Sequence, residues 1–400
     1  MDLELTNQKK YLIAVSGGPD SMALLDMAFH SGVYLEAAHM NYHKRQSAAR
    51  DEKIVKAYCD RNGIIFHRCD FDKELYKGNF QAAARNARYD FFTALCKERG
   101  LDEVLVAHQK DDLIETYLMQ KENRLGVAYY GLKERNTVND AVIYRPLLKY
   151  TKQELLDYCN DRGIEYGIDE SNLSDSYTRN RIRHHKTDKM SREEKDRLIH
   201  QIALLNQKGR ERYERAASFL KKDSYSVSEF MKIPYLKYWL RVHFLNKSDR
   251  FFDEMKRQLK ESESCAFYGE DIMIFREYGR IHVSVIPETY EYRFDSLKQM
   301  KDFRCRYFEL KDSGELIEGV SFTKEDFPLT IRTVSRGDRI HMRYGHKRVS
   351  RFLIDRKILL CERLNWPVMA NQKNEVIFVP GMGCNRNHYC EKQDIFMIKL

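Results

Sequence analysis

The chain has 400 residues, enough for two or three domains and too many for one core. Its 69 Lys and Arg against 60 Asp and Glu give a net +9 and a pI near 8.9, a modest excess whose meaning depends on where it sits. The nine cysteines form no CxxC pair and read as reduced thiols; no apolar run approaches a membrane span, and Met-Asp-Leu-Glu-Leu lacks the basic and apolar regions of a signal peptide, so the expectation is a cytoplasmic protein with no membrane partner.

The first 170 residues alternate short apolar runs with longer amphipathic ones, the pattern of βαβ units around a parallel sheet. Strands are expected at 11–15, 34–39, 64–69 and 103–107, and helices at about 21–31, 47–62, 80–99 and 111–121. A further helix is expected to open at Thr151, where Thr151 and Glu154 have the spacing of a capping box. In an open α/β sheet ligands bind beyond the carboxyl ends of the strands, and the polar motifs of this chain fall there.

The first motif is Ser16-Gly17-Gly18-Pro19-Asp20-Ser21, which follows the strand Tyr11-Leu-Ile-Ala-Val15 directly and runs into a helical pattern. Glycines let the backbone approach an anion, amides at the helix start point at it, and Ser16 and Ser21 can add hydroxyl donors. The loop has no lysine, and no GxxxxGK[ST] string occurs, which argues against γ-phosphoryl transfer. His39-Met-Asn41-Tyr42-His43-Lys44-Arg45 follows the second strand and could cradle a nucleotide, or could be a polar loop without a role. Between Asn79 and Arg99, Ala82, Ala83, Ala84 and Ala87 permit close packing while Arg85 and Arg88 share a face suited to phosphate or carboxylate. His108-Gln-Lys-Asp111-Asp112-Leu-Ile-Glu115-Thr116 puts carboxylates at the first turns of a helix, where they could hold Mg²⁺ or a substrate ammonium, or simply complement the helix dipole. Asp169-Glu170-Ser171-Asn172, followed by Tyr177 and the arginines Arg179, Arg181 and Arg183, reads either as a contact to the phosphates of RNA or of a nucleotide, or as an interdomain hinge tied by salt bridges.

From about 190 to 290 the pattern is helical and charged and yields no chemistry. After about 305 the chain turns to short alternating runs, as in Leu329-Thr-Ile-Arg-Thr-Val334 and Val376-Ile-Phe-Val379. Between Ile331 and Arg363 there are ten Lys and Arg against Asp338, Asp355 and Glu362, a local +7 that suits a polyanionic partner through Arg336, Arg339, Lys347 and Arg348. The reading is thus α/β, with a parallel-sheet nucleotide-binding domain over 1–188, a helical middle domain over 189–300 and a small, basic, strand-rich domain over 301–400.

SGGPDS, HMNYHKR, AAARNARY, HQKDDLIET, RPLL at 145–148, and DESN with the later RNRIR together resemble the tRNA(Ile)-lysidine synthetase family of the ATP-pyrophosphatase superfamily, strongly over residues 10–185. A looser similarity returns near 329–383, where LTIRTVSRGDRI, KRVSRFLID and VPG look like the family's C-terminal tRNA-contact module. The resemblance implies ATP at Ser16 to Ser21 with His39 and Asn41 nearby, Asp20 beside pyrophosphate and Mg²⁺, lysine and metal at Asp112 and Glu115, and catalytic support from Arg88. It also implies a tRNA(Ile) with a CAU anticodon, the RNA that Arg179, Arg181 and Arg183 would contact, and free L-lysine as partners, and a dimer is common in this kind of fold. Two departures stand out: Tyr42 replaces a second histidine usual after the asparagine, and Gln120-Lys-Glu-Asn-Arg124 replaces a glycine-rich turn. A tRNA thiolase of the same superfamily is the competing enzyme, disfavoured by the lack of CxxC; a non-catalytic RNA-binding protein is the competing non-enzyme.

Overall fold

In a computed structural model the described residues are all those outside 44–47, 73–79, 124–126, 169–177, Asn246 and Tyr344. Lys44, Arg45, Asn79, Arg124, the acidic Asp169-Glu170-Ser171-Asn172 and Tyr177 therefore lie outside them. The chain divides into two compact units, Met1–Arg212 and Tyr213–Leu400.

The first unit follows the βαβ expectation. Its strands are β1 (Lys10–Ala14), β2 (Tyr34–Asn41), β3 (Ile65–Asp70), β4 (Glu103–Val106), β5 (Arg135–Val138) and β6 (Ala141–Tyr144); its helices are α1 (Pro19–His30), α2 (Ala48–Asn62), α3 (Phe80–Arg99), α4 (Lys110–Glu122), α5 (Lys152–Asp161) and α6 (Thr178–His185). They build one six-stranded sheet in the order β3-β2-β1-β4-β6-β5, parallel except for the β5–β6 hairpin. Residues of β1 alternate between two cores, as the period of two demands. Tyr11, Ile13 and then Val15 pack with α1, α2 and α5, whereas Leu12 packs with Tyr89, Phe92 and Leu95 of α3. Both faces of the sheet are thereby covered, which is why its central strands read as continuous apolar runs. The order reverses at β1, from which β2 and β3 go one way and β4 the other, so the crevice beyond the carboxyl ends of β1 and β4 is the topological switch point. At α5 the expected capping box is present: Thr151 accepts from the Glu154 amide, and the Glu154 carboxylate accepts from the Thr151 amide.

Helix α7 (Arg192–Ala217) leads out of the first unit. After it come β7 (Ser224–Ser226), α8 (Val227–Met231), α9 (Leu236–His243), α10 (Asp249–Glu261), β8 (Cys265–Tyr268), β9 (Ile272–Glu277) and β10 (Arg280–Val285), all in the second unit. Apart from β7 the helical expectation holds from 192 to 261, and beyond that it fails: β8, β9 and β10 join β7 in a four-stranded antiparallel sheet, β7-β10-β9-β8. Phe230, Trp239, Phe252 and Met255 pack against Ile274 and Ile281 to make one core of helices and sheet.

The remainder comprises β11 (Glu291–Phe294), α11 (Leu297–Met300), β12 (Phe308–Lys311), β13 (Gly319–Val320), β14 (Leu329–Thr333), β15 (Arg339–Met342), β16 (Gly345–Arg348), α12 (Val349–Asp355), α13 (Leu360–Arg363), β17 (Pro367–Ala370), β18 (Val376–Val379), β19 (Gly383–Cys384) and β20 (Ile395–Lys399). The larger sheet runs β11-β14-β17-β18-β15-β16, with β19 beside β18; β12, β20 and β13 form a smaller one. The strand-rich body is as expected, and it begins with β11, ahead of residue 301. All nine cysteines are free, and among the described residues no helix is long and apolar enough to cross a membrane.

Candidate active site

The loop after β1 is shaped by one glycine above all. Gly17 has φ +89°, and a Cβ there would stand 2.8 Å from the Asp51 Cβ, so both conformation and contact require glycine. Its carbonyl accepts from the Gly167 amide at 2.8 Å. At Gly18 φ is ordinary, −77°, and the nearest atom to an added Cβ is 3.6 Å away, so nothing in the fold itself demands glycine there. The two serines brace the loop: the Ser21 hydroxyl donates to the Gly18 carbonyl at 2.9 Å and accepts from the Ser16 amide at 3.2 Å. Pro19 occupies the first turn of α1, where its missing N–H costs nothing.

Two cavities flank this loop and share Ser16, Ser21 and Ala107. The larger, about 580 Å³, is bounded by Gly18, Asp20, Gln109, Lys152, Tyr166 and Arg183. The smaller, about 240 Å³, is bounded by Met40, Tyr42, Arg88, Tyr89 and His108. The first has the size of a small-ligand site.

Asp20 is the electrostatic centre of the larger cavity. One of its carboxylate oxygens is buried with no hydrogen-bond partner. Burial, reinforced by the charge of Asp112, pushes its pKa up to about 7, against the opposing pull of Lys152 and Arg183. An uncompensated buried oxygen next to a second carboxylate suits Mg²⁺, which is commonly held by one or two carboxylates together with substrate phosphates. Among the described residues no group of three potential metal ligands exists, so a metal here would depend on phosphate oxygens to complete its shell.

The acidic motif separates into three roles. Asp111 accepts from the Lys152 amide at 3.1 Å and pairs with Lys195 at 2.7 Å, tying α4 to α5 and α7. Asp112 accepts from the Gln109 amide at 3.0 Å in a capping box and from Arg179 at 2.8 Å. Glu115, wholly buried, accepts from Arg183 Nε at 2.6 Å and from Arg179 Nε at 2.8 Å. Arg183 stays firmly charged through that hydrogen bond and the surrounding carboxylates, despite the burial that opposes it. The structure therefore brings Arg179 and Arg183 of α6 onto the acidic pair, and Arg181 onto Glu122 at 2.6 Å.

On the second cavity, Arg88 donates from Nε to the Tyr42 hydroxyl at 2.8 Å, and Tyr42 packs on Phe71. The residue that breaks the family's usual histidine pattern thus holds the helix arginine. His39 and Asn41 lie inside β2 and bound neither cavity; His39 Nδ1 bonds the Val15 carbonyl at 2.9 Å and Asn41 donates to Glu52 at 2.8 Å. His43 pairs with Asp70 at 2.5 Å.

Three contributors carry no role in the sequence reading, although Gln109 and Arg145 stand within the HQKDDLIET and RPLL strings. Lys152 and Gln109 enter the large cavity from α5 and the start of α4. Arg145, buried, donates to His108 Nδ1 at 3.0 Å and to Asn136 at 2.6 Å. Burial, with Arg145 next, depresses the His108 pKa to about 3, so the ring is neutral with its proton on Nε2.

In the second unit Arg336, Arg339, Lys347 and Arg348 are all exposed; the last three lie on the β15–β16 hairpin, and β16 is a sheet edge. Among the described residues none of the four forms an ion pair, whereas neighbouring Arg332 is locked to Asp338 at 2.9 Å.

A lysine-free anion loop at the switch point of a parallel sheet, facing a cluster of carboxylates, defines a PP-loop nucleotide-binding domain, and the PP-loop domain family matches residues 2–190. The chain is 31% identical to the tRNA(Ile)-lysidine synthase of Bacillus subtilis (strain 168) over 437 residues, covering 93% of this chain and 89% of that one. It is 43% identical to the tRNA(Ile)-lysidine synthase of Ureaplasma parvum serovar 3 over 182 residues, 44% of this chain and about half, 54%, of that relative. The chain belongs to the tRNA(Ile)-lysidine synthase family, ligase-type enzymes of tRNA modification built on an ATP-using PP-loop domain. Among solved structures, the U34-tRNA thiolase NcsA from Methanococcus maripaludis aligns over 51% of this chain and 73% of that one, at 17% identity and a TM-score of 0.44.

Proposed function

We propose that the protein joins L-lysine to C2 of the wobble cytidine of a tRNA(Ile) bearing a CAU anticodon, at the expense of ATP. The observation that carries this reading is the large cavity, in which the anion loop and the unpartnered Asp20 oxygen meet at the switch point, with the charge of Asp112 acting on Asp20. Cytosine O2 attacks the α-phosphorus of ATP and pyrophosphate leaves. The ε-amine of lysine then attacks C2, and AMP departs with the former O2. Mg²⁺ held at Asp20 and Asp112 would neutralise phosphate charge.

The chain's own groups do the rest. Loop amides face the phosphates, and Arg88, fixed by Tyr42, offers its remaining N–H groups to the smaller cavity. The lysine ammonium is received at Asp112 and Glu115. Of the two arginines now on that pair, Arg179 is the more exposed, at 38% of its side chain against 16% for Arg183, and it is the one an incoming ammonium displaces from Asp112. A carboxylate of this cluster takes the proton that the amine must lose before it attacks. Positioning and fixed charge supply most of the acceleration.

The basic hairpin, with Arg336, Arg339, Lys347 and Arg348, is a second hold on the tRNA through phosphates. Selectivity comes from such contacts distant from the reacting base, since many tRNAs carry an unpaired cytidine. The test is incorporation of labelled lysine into an unmodified tRNA(Ile) transcript with a CAU anticodon, with ATP and Mg²⁺, beside a tRNA(Met) control. Label in the isoleucine tRNA alone is expected. ATP cleavage to AMP and pyrophosphate without label would retain adenylation and refute lysine as the nucleophile.

A further inference from the structure

The anion loop carries no lysine of its own, yet a lysine stands across the cavity from it. Lys152 is the first residue of α5, about 130 positions beyond the loop in sequence, and it lines the same 580 Å³ cavity as Ser16, Gly18, Pro19, Asp20 and Ser21. Two tethers fix where α5 begins. The Lys152 amide donates to Asp111 at 3.1 Å, and the Thr151–Glu154 capping box sets the first turn. Among the described residues the Lys152 ammonium forms no ion pair, although Lys195 and Lys110, from α7 and α4, each have a carboxylate at 2.7 Å. Its field nevertheless reaches Asp20, where it opposes the effect of burial.

A half-buried cation left unpaired in a crevice of carboxylates and loop amides needs an anion to complete it. The groups around it specify that anion. A single carboxylate ligand would be repelled by Asp20 and Asp112, whereas a polyphosphate spans the loop amides on one side and the ammonium on the other, and it shares a divalent cation with Asp20. We propose that Lys152 is a binding residue for the pyrophosphate half of the nucleotide triphosphate, taking the place of the lysine that other phosphate loops carry within the loop. The inference rests on the reading that the domain consumes ATP. It places Lys152 on the group that leaves, so that the ammonium stabilises pyrophosphate as negative charge builds on it, and contributes little to holding a nucleoside monophosphate.

Equilibrium binding of ATP, AMP and inorganic pyrophosphate, each with Mg²⁺, to the full chain and to Lys152→Gln and Lys152→Arg tests this. Lys152→Gln should weaken ATP and pyrophosphate by about ten- to a hundredfold, the worth of one charge-assisted hydrogen bond, and leave AMP within about twofold. Lys152→Arg should recover most of the loss, and both variants should melt near the parent, since the ammonium supports no contact of the fold. Unchanged affinity for ATP in Lys152→Gln would overturn the assignment, as would equal weakening of ATP and AMP. Failure of the parent chain to bind ATP would instead refute the nucleotide reading on which the assignment stands.

Discussion

The crevice of the first unit and the β15–β16 edge of the second both concentrate charge, and they do it in opposite ways. In the crevice the carboxylates of α4 are buried and matched: Glu115 is fully enclosed between Arg179 and Arg183, and Asp111 between α5 and α7. On the hairpin, Arg339, Lys347 and Arg348 stand in solvent, with no ion pair among the described residues. Buried charges interact strongly, barely feel salt and destabilise the protein when their partner is lost. Exposed ones are individually weak, additive and salt-sensitive. The first arrangement fixes atoms for chemistry; the second attracts a polyanion without dictating its register.

The sharpest way to break the comparison is at Asp20. Asp20→Asn should lower lysine incorporation by roughly 10³-fold, the scale for removing a group that stabilises developing charge, measured as kcat at saturating tRNA. The same substitution should raise stability. With a folded pKa of about 7 against an ordinary 3.8, Asp20 binds its proton more tightly in the native state. That proton linkage favours folding below about pH 4 and is lost as pH climbs through 7. The melting temperature of Asp20→Asn should therefore gain on the parent between about pH 4 and pH 7 and level off above that. A difference that stays flat with pH would mean that Asp20 is ionised throughout.

Next in size is Glu115→Gln. It leaves two arginines facing a neutral amide in a buried setting, which costs about 3 kcal/mol or more, visible as a lower urea midpoint at any ionic strength. A loss that vanished at high salt would assign Glu115 to the surface class instead. Smaller again is the triple change Arg339→Ala, Lys347→Ala and Arg348→Ala. It should weaken tRNA binding, flatten the slope of log K against log salt by about 2 to 3, and leave ATP affinity and melting temperature as they were. An unaltered slope would remove the hairpin from the tRNA-binding surface.

What was legible in the sequence was what local chemistry decides. The apolar run before Ser16, the glycine needed at Gly17 and the capping box at Thr151 all concern neighbours in the chain, and each is found where its pattern lies. The sheet of β7 to β10 was not legible, because its strands are short and interleaved with charge, as at Arg276-Glu277 and Arg280, between helices whose periodicity dominates the region. The pairing of Arg179 with Asp112 and Glu115 joins positions 67 and 64 apart, and no periodicity reports a contact of that kind. For the same reason neither Lys152 nor the Arg145 of RPLL has a role in the sequence reading, and the fold supplies one by bringing them to Asp20 and His108.

The smallest effect belongs to the position where this chain leaves its family's pattern. Tyr42 contributes a ring that packs on Phe71 and a hydroxyl that accepts from Arg88 Nε at 2.8 Å. Tyr42→Phe removes only the second, so packing and stability should hold while Arg88 gains freedom to rotate. One neutral acceptor on a charged donor is worth about 1 to 2 kcal/mol, and kcat/KM should fall by about tenfold, with no change in salt dependence. Tyr42→His would keep an acceptor within a shorter reach and should lose less. If Tyr42→Phe is indistinguishable from the parent, Arg88 is held by the packing of α3 alone, and the departure from histidine has no consequence for the crevice.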